Sequence, residues 1–134
     1  MAKRIAALLL ALTCLLGLSA CGQVRKAETV KVGSALYSEF EIRRAIAKIK
    51  RDFFFGWDGC ELLSIRYAGD SVTLGYRDWA QRYGKDQVIV LISDFYARTP
   101  AGNSGLTEEQ LYGGWNWILV RNEHGAWRHV DHGF

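Results

Sequence analysis

Between residues 37 and 54 the apolar positions repeat with the period of a helix. Ile42, Ala45, Ile46, Ile49 and Phe53 recur at i, i+3, i+4, i+7 and i+11, which gathers them on one face. Ser38 and Glu41 have the S-x-x-E spacing of a capping box, and Glu39 adds negative charge to the first turn. Gly56 stops the run. These signals predict a helix over Tyr37–Phe54. Arg43, Arg44, Lys48 and Arg51 fill much of its remaining surface. That basic side could meet an anionic polymer or lipid; the plainer expectation is a solvated face.

Further along, the period switches to two. Asp58-Gly59 signals a turn, and Cys60–Tyr67 follows as a strand with Leu63, Ile65 and Tyr67 on alternate positions. Ala68-Gly69-Asp70-Ser71 turns the chain. Tyr76, Trp79, Ala80 and Tyr83 have helical spacing and predict a short helix closed by Gly84. Gln87–Phe95 is a strand whose centre, Val88-Ile89-Val90-Leu91-Ile92, is apolar at every position. Continuous apolarity predicts a central strand covered on both faces, by the long helix and by sheet curvature, a small helix or a second subunit. Tyr96–Gly113 is irregular, with Thr107-Glu108-Glu109-Gln110 able to cap a single turn. Gly114–Val120 is a strong strand, Arg121–Gly125 a hairpin loop, and Ala126–His132 the returning strand.

The N-terminus has a different pattern. Lys3 and Arg4 precede an apolar run, Ile5–Leu18, that is shorter than the ~20 residues needed to span a bilayer. Positive start, short apolar middle and small residues at the end define an export signal. It closes on Leu18-Ser19-Ala20-Cys21, which resembles the lipobox of bacterial lipoproteins. The resemblance implies a diacylglyceryl group on the Cys21 thiol, cleavage before Cys21 and acylation of the new amine. It places the protein on the extracytoplasmic side of the cell membrane, held to the bilayer by Cys21. Two or three acyl chains make a stable anchor where one would not. Gly22–Ala35 is polar and mixed in charge, and residues 21–36 are expected to form the lipidated cysteine and a flexible tether for one domain over 37–134.

Composition changes the picture in two places. The chain has 134 residues and a formal charge of +3, but Lys3 and Arg4 leave with the signal. Of the 17 cations 15 then remain against 14 acids, and the basic excess of a nucleic-acid binder is missing. Cysteines number three, Cys14, Cys21 and Cys60. After processing only Cys60 keeps a thiol, so no intrachain disulfide framework is expected.

Candidate chemistry is sparse. In His129-Val130-Asp131-His132, an unbroken strand would point His129 and His132 to opposite faces and put His129 with Asp131. Two ligands fall short of a zinc centre, and no metal or other cofactor is expected. Cys60 reads as a small buried hydrophobe. No nucleophile motif and no phosphate loop is present, so an enzyme is the less favoured class. Asp94, at the end of the central strand, and His129 are the pair on which acid–base work or small-molecule binding in a pocket could rest. The aromatic load is the remaining signal. Trp115 and Trp117 share a strand face, with Trp127 on the next strand; most should be core, with one or two lining a concavity.

One helix followed by a mostly antiparallel sheet of about four strands predicts an α+β domain. Gly59-Cys60-Glu61-Leu62, Asp78–Gly84, Gly114–Arg121 and Trp127 resemble a set of small bacterial lipoproteins with an NTF2-like or cystatin-like fold. The resemblance implies a fold and no activity. The function expected is a membrane-anchored surface lipoprotein whose non-catalytic domain binds a protein or cell-wall partner. Candidate surface residues are Trp115, Trp117, Trp127, Asp94 and His129. A homodimer through the sheet is a further expectation, raised by the doubly apolar strand.

Overall fold

A computed structural model of the protein describes residues 21–102 and 104–134. The export signal read in residues 1–20 lies outside the described residues. The fold is α+β: a five-stranded open sheet, in the order β1-β2-β3-β4-β5, with one long helix across one face. The strands are β1 (Glu28–Val30), β2 (Cys60–Tyr67), β3 (Gln87–Ala97), β4 (Gln110–Arg121) and β5 (Arg128–Gly133), and the helices are α1 (Glu39–Gly56), α2 (Asp70–Leu74) and α3 (Arg77–Arg82). β1 runs parallel to β2; the other pairings are antiparallel.

The fifth strand corrects the expected four, and it comes from the stretch read as a tether. Its polar side chains are exposed, because an edge strand beside the helix needs little apolar surface of its own. The contact is made instead by Val24, Ala27 and Val32, which pack on the core, and by backbone. Gln23 N–H donates to the Cys60 carbonyl at 2.9 Å, and the Gln23 carbonyl accepts from Leu62 N–H at 2.8 Å.

α1 forms where its pattern predicts. Ser38 caps it: its hydroxyl accepts from Glu41 N–H (3.2 Å) while the Glu41 carboxylate accepts from Ser38 N–H (2.7 Å). Its buried residues are Ile42, Ala45, Ile46, Ile49 and Phe53. They meet Leu62, Ile65, Tyr67, Ile89, Leu91, Phe95, Trp117 and Leu119 in the main core. Burying each large side chain contributes about 1.5–3 kcal/mol.

β3 is central, as its composition implies. Ile89 and Leu91 face α1, whereas Val88 and Val90 face a second cluster with Ile118, Val120 and Ala80. Trp79 and Tyr76 close that cluster, so the short helical segments of this same chain cover the second face. The doubly apolar strand that raised a dimer is thus accounted for within one chain. α2 replaces the turn expected after Tyr67. The irregular stretch shrinks at both ends: β3 continues to Ala97 and β4 starts at Gln110, because Phe95 and Tyr112 stack in register (5.1 Å between rings). Thr107–Gln110 is a turn leading into β4, not a helical one.

Arg121 is the largest surprise in burial. Assigned by pattern to a hairpin loop, it ends β4 with its side chain 3% exposed. Its guanidinium donates to Glu41 Oε1 (2.5 Å) and Gln87 Oε1 (2.8 Å), and lies over the Trp127 ring at 4.1 Å. Arg121 is the buried member; the Glu41 side chain is 25% exposed and keeps its bond to Ser38. Arg121→Ala, which removes the charged hydrogen bonds to Glu41 and Gln87, is expected to lower the unfolding free energy by roughly 2 kcal/mol, measurable as a shift of the urea midpoint at unchanged slope.

Candidate functional site

The end of α1 opens onto the part of the sheet that the helix does not reach, and the aromatic side chains collect there. Trp57, the C-cap residue, stacks on Phe53 (5.7 Å) and meets Phe95, Trp115 and Trp117 edge-on at 5.0–6.0 Å. Tyr112 and Phe134 extend the group through Trp115 at 5.7 and 5.0 Å. Each such pair adds about 0.5–1.5 kcal/mol beyond its buried area. A shallow cavity of about 250 Å³ borders the group, walled by Trp57, Cys60, Pro100, Leu106 and His132. The loop after β3 supplies Pro100 and Leu106, so the shortened irregular stretch ends at this cavity.

The histidines of β5 arrive here by a correction of register. Leu119 pairs with His129 but Ile118 pairs with Asp131, so Val130 is an extra residue in β5. This bulge inverts the alternation. His132 returns to the face of His129, opposite Trp117, and Asp131 goes to the other face with Ile118. The pair expected on one face, His129 with Asp131, is replaced by His129 with His132. Their ring nitrogens, Nε2 of His129 and Nδ1 of His132, are 3.2 Å apart. Behind them Asp52 of α1 places Oδ2 at 3.4 Å from His129 Nδ1, while Lys48 donates to Asp52 Oδ1 at 2.8 Å.

The tautomers that fit this row put a proton on Nδ1 of His129, facing the carboxylate. Nε2 of His129 then accepts from Nδ1–H of His132. Burial is the main force holding the proton affinity of both rings below the ordinary histidine value. For His129 the neighbouring His132 acts in the same direction, and Asp52 opposes it. Among the described residues no three His, Cys, Asp or Glu side chains converge on a metal-holding group. What the row can do is move a proton between two imidazoles at a cavity wall, with the partly exposed Asp52 carboxylate orienting His129.

The other expected residues are spread over the fold. Trp117 is fully buried, and its Nε1–H donates to Ser93 Oγ at 2.7 Å. Trp127 is 6% exposed and donates from Nε1 to the Glu41 carbonyl at 3.2 Å. Both are framework. Trp115 is half-buried, and its Nε1 lies buried without a hydrogen-bond partner among the described residues. Asp94 does not join His129. It is exposed on the opposite face of the sheet, where it accepts from Gly114 N–H (2.9 Å) and Ser64 Oγ (3.3 Å). Gly114, at φ +69°, occupies the bulge that turns its N–H toward this carboxylate. Cys60 is buried; burial first, and then Asp58, push its thiol up to about 11, far from the range of a nucleophile.

Trp57 and Asp52 carry no signal in their sequence context, and His132 is placed by strand alternation on the wrong face. Trp57 follows the helix stop without a periodic partner, and the pairing of the histidines depends on a bulge. No protein-family model matches the chain, and no curated protein or solved structure is significantly similar to it.

The histidines give the fold a pH dependence of defined sign. Their folded proton affinity is depressed, so below pH 6.5 the unfolded chain binds more protons than the folded one. Stability must fall as the pH drops through and below that value. Glu41 and Asp70, whose carboxyls are held low by hydrogen bonds, add their loss only below their ordinary values of 4.5 and 3.8. In thermal melts across pH, His129→Gln with His132→Gln is expected to flatten the upper limb and leave the lower one.

Proposed function

We propose that the protein is an envelope lipoprotein, anchored through an acylated Cys21 at the extracytoplasmic face of the cell membrane, whose α+β domain serves as a binding module. The observation carrying this reading is Leu18-Ser19-Ala20-Cys21 at the end of a positively started apolar run. Two other facts support it. Among the described residues no helix is long and apolar enough to cross a membrane, which is compatible with attachment through the N-terminus. The domain offers a cavity rimmed by aromatic side chains and a loop, the kind of concavity where a partner's protruding group is held. The layout, a long helix across a mostly antiparallel sheet, supports an NTF2-like or cystatin-like relationship.

The binding surface is assigned to the cavity at Trp57, Leu106 and His132, with a cell-wall component or an envelope protein as its partner. Trp117, being buried, acts through its packing on Trp57 and His132 and not by contact, while Trp127 lies at the first turn of α1, away from this cavity. A second reading, a pocket that handles a small molecule, is favoured by the Asp52–His129–His132 row. In it His132, not Asp94, partners His129.

Cys21→Ser is expected to abolish incorporation of a fatty-acid analogue and to release the protein from washed membranes; unchanged incorporation would refute the anchor. For the binding surface the measurement is co-sedimentation of purified protein with isolated cell walls. Leu106→Ser and His132→Ala, with circular dichroism checking that the fold is retained, should weaken it several-fold. Equal sedimentation of variants and wild type removes the cavity as the wall contact.

A further inference from the structure

The anchoring residue has almost no slack. Gly22 N–H donates to the Phe54 carbonyl at 3.0 Å, and a Cβ at this position would stand 2.2 Å from the Phe53 carbonyl oxygen. Gln23 is already paired with Glu61 beside β2. One peptide unit, about 3.8 Å between Cα atoms, therefore separates Cys21 from backbone fixed to the last turn of α1. Lipid attached at Cys21 would hold that end of the helix at the headgroups, with no leash between.

The face of α1 turned away from the core suits such a neighbour. Phe40, Arg44, Ala47, Arg51 and Phe55 follow one another at helical spacing and are all exposed. Phe40 and Phe55 are 60% and 72% exposed, high values for side chains of their size, and they lie about 22 Å apart along the helix. Phe55 pairs with the half-buried Phe54 at 5.0 Å, and Arg44 lies over the Phe40 ring at 5.8 Å. Between the two aromatic ends is a concavity of about 350 Å³ that includes Arg44, Lys48, Arg51 and Trp127 in its wall.

The charge on this face is uncompensated. Glu39, Glu41 and Asp52 are engaged by Lys31, Arg121 and Lys48. Among the described residues Arg43, Arg44 and Arg51 enter no ion pair. A row of cations bracketed by exposed aromatics matches anionic headgroups with the acyl boundary beneath them.

We propose that the outer face of α1 docks on an anionic bilayer, with Phe40 and Phe55 at the acyl boundary and Arg44 and Arg51 on headgroup phosphates. The position of this surface rests on anchoring at Cys21, as argued above; its chemistry rests on the helix alone. The occupant is the membrane itself. The helix lies along the surface, and the cavity at Trp57 is held within a domain's thickness of the lipid.

The full chain, purified from membranes and reconstituted in vesicles, tests this. A dansyl amino acid is incorporated at position 55 or, as a control on the far side of the sheet, at position 77 of α3. In vesicles of phosphatidylcholine mixed with phosphatidylglycerol, emission at position 55 should shift to the blue while position 77 stays as in water. Arg44→Glu with Arg51→Glu should abolish the shift; both side chains are exposed, and circular dichroism checks that the fold is retained. Equal emission at the two positions, or a shift indifferent to charge reversal, overturns the docking. Mass spectrometry of Cys21 separates the two proposals. An acylated Cys21 with no shift sinks the docking alone; an unmodified Cys21 with the shift retained sinks the anchor and keeps the lipid-binding face.

Discussion

Glu41 is the residue on which the assembly of helix and sheet depends. One of its carboxylate oxygens closes the capping box with Ser38, and the other receives Arg121 from the end of β4. Its backbone carbonyl accepts from Trp127. A single residue thus starts the helix, fixes its first turn over the central strands, and orients the indole that seals the edge of the core. Trp127 and Tyr37 in turn flank the guanidinium at 4.1 and 5.7 Å, which keeps water from Arg121 and strengthens the pair. A helix whose beginning is fixed in this way leaves its end to be placed by packing, and that end is where the aromatic group and the histidines gather.

Much of this was legible in the chain. Periods of 3.6 in α1 and the unbroken apolar centre of β3 are statements about which atoms must leave water, and the fold obeys them. Ser38-x-x-Glu41 is local chemistry and forms as written. What escaped the reading depends on relations that no local pattern encodes. Arg121 looks like a loop residue until Glu41, 80 positions earlier, is known to face it. β1 has no alternating pattern because it is held by backbone pairing and by Val24 and Val32 outside its span. The bulge at Val130 has no turn residue to announce it, yet one extra residue decides which of Asp131 and His132 meets His129. Period-two reasoning is strictest where it works and inverts completely where a single residue is inserted.

The aromatic group shows how the domain closes its open end by packing. Beyond Phe53 the helix no longer shields the sheet, and small aliphatic residues would leave a gap between the last helical turn and β4. Trp57, Phe95, Tyr112 and Trp115 span that gap with rigid rings whose ordering costs little conformational entropy. Trp117, packed on Trp57 in the same group, also lies against His129 at 5.3 Å, and burial there lowers the proton affinity of that imidazole against the pull of Asp52. Packing and proton affinity have one cause here.

The N-terminal segment joins these themes. The last carbonyls of a helix lack partners within it and must find them elsewhere. In α1, Trp57 N–H serves the Phe53 carbonyl and Gly22 N–H serves that of Phe54, so the segment entering the fold also caps the helix. Only glycine admits that approach, because any side chain at 22 would collide with the Phe53 carbonyl. A tether would have needed no such residue and would have left that carbonyl to solvent. The bond that completes the helix is therefore the bond that fixes Cys21 in space. It converts a length of polar chain into a rigid joint between Cys21 and the basic outer face of α1.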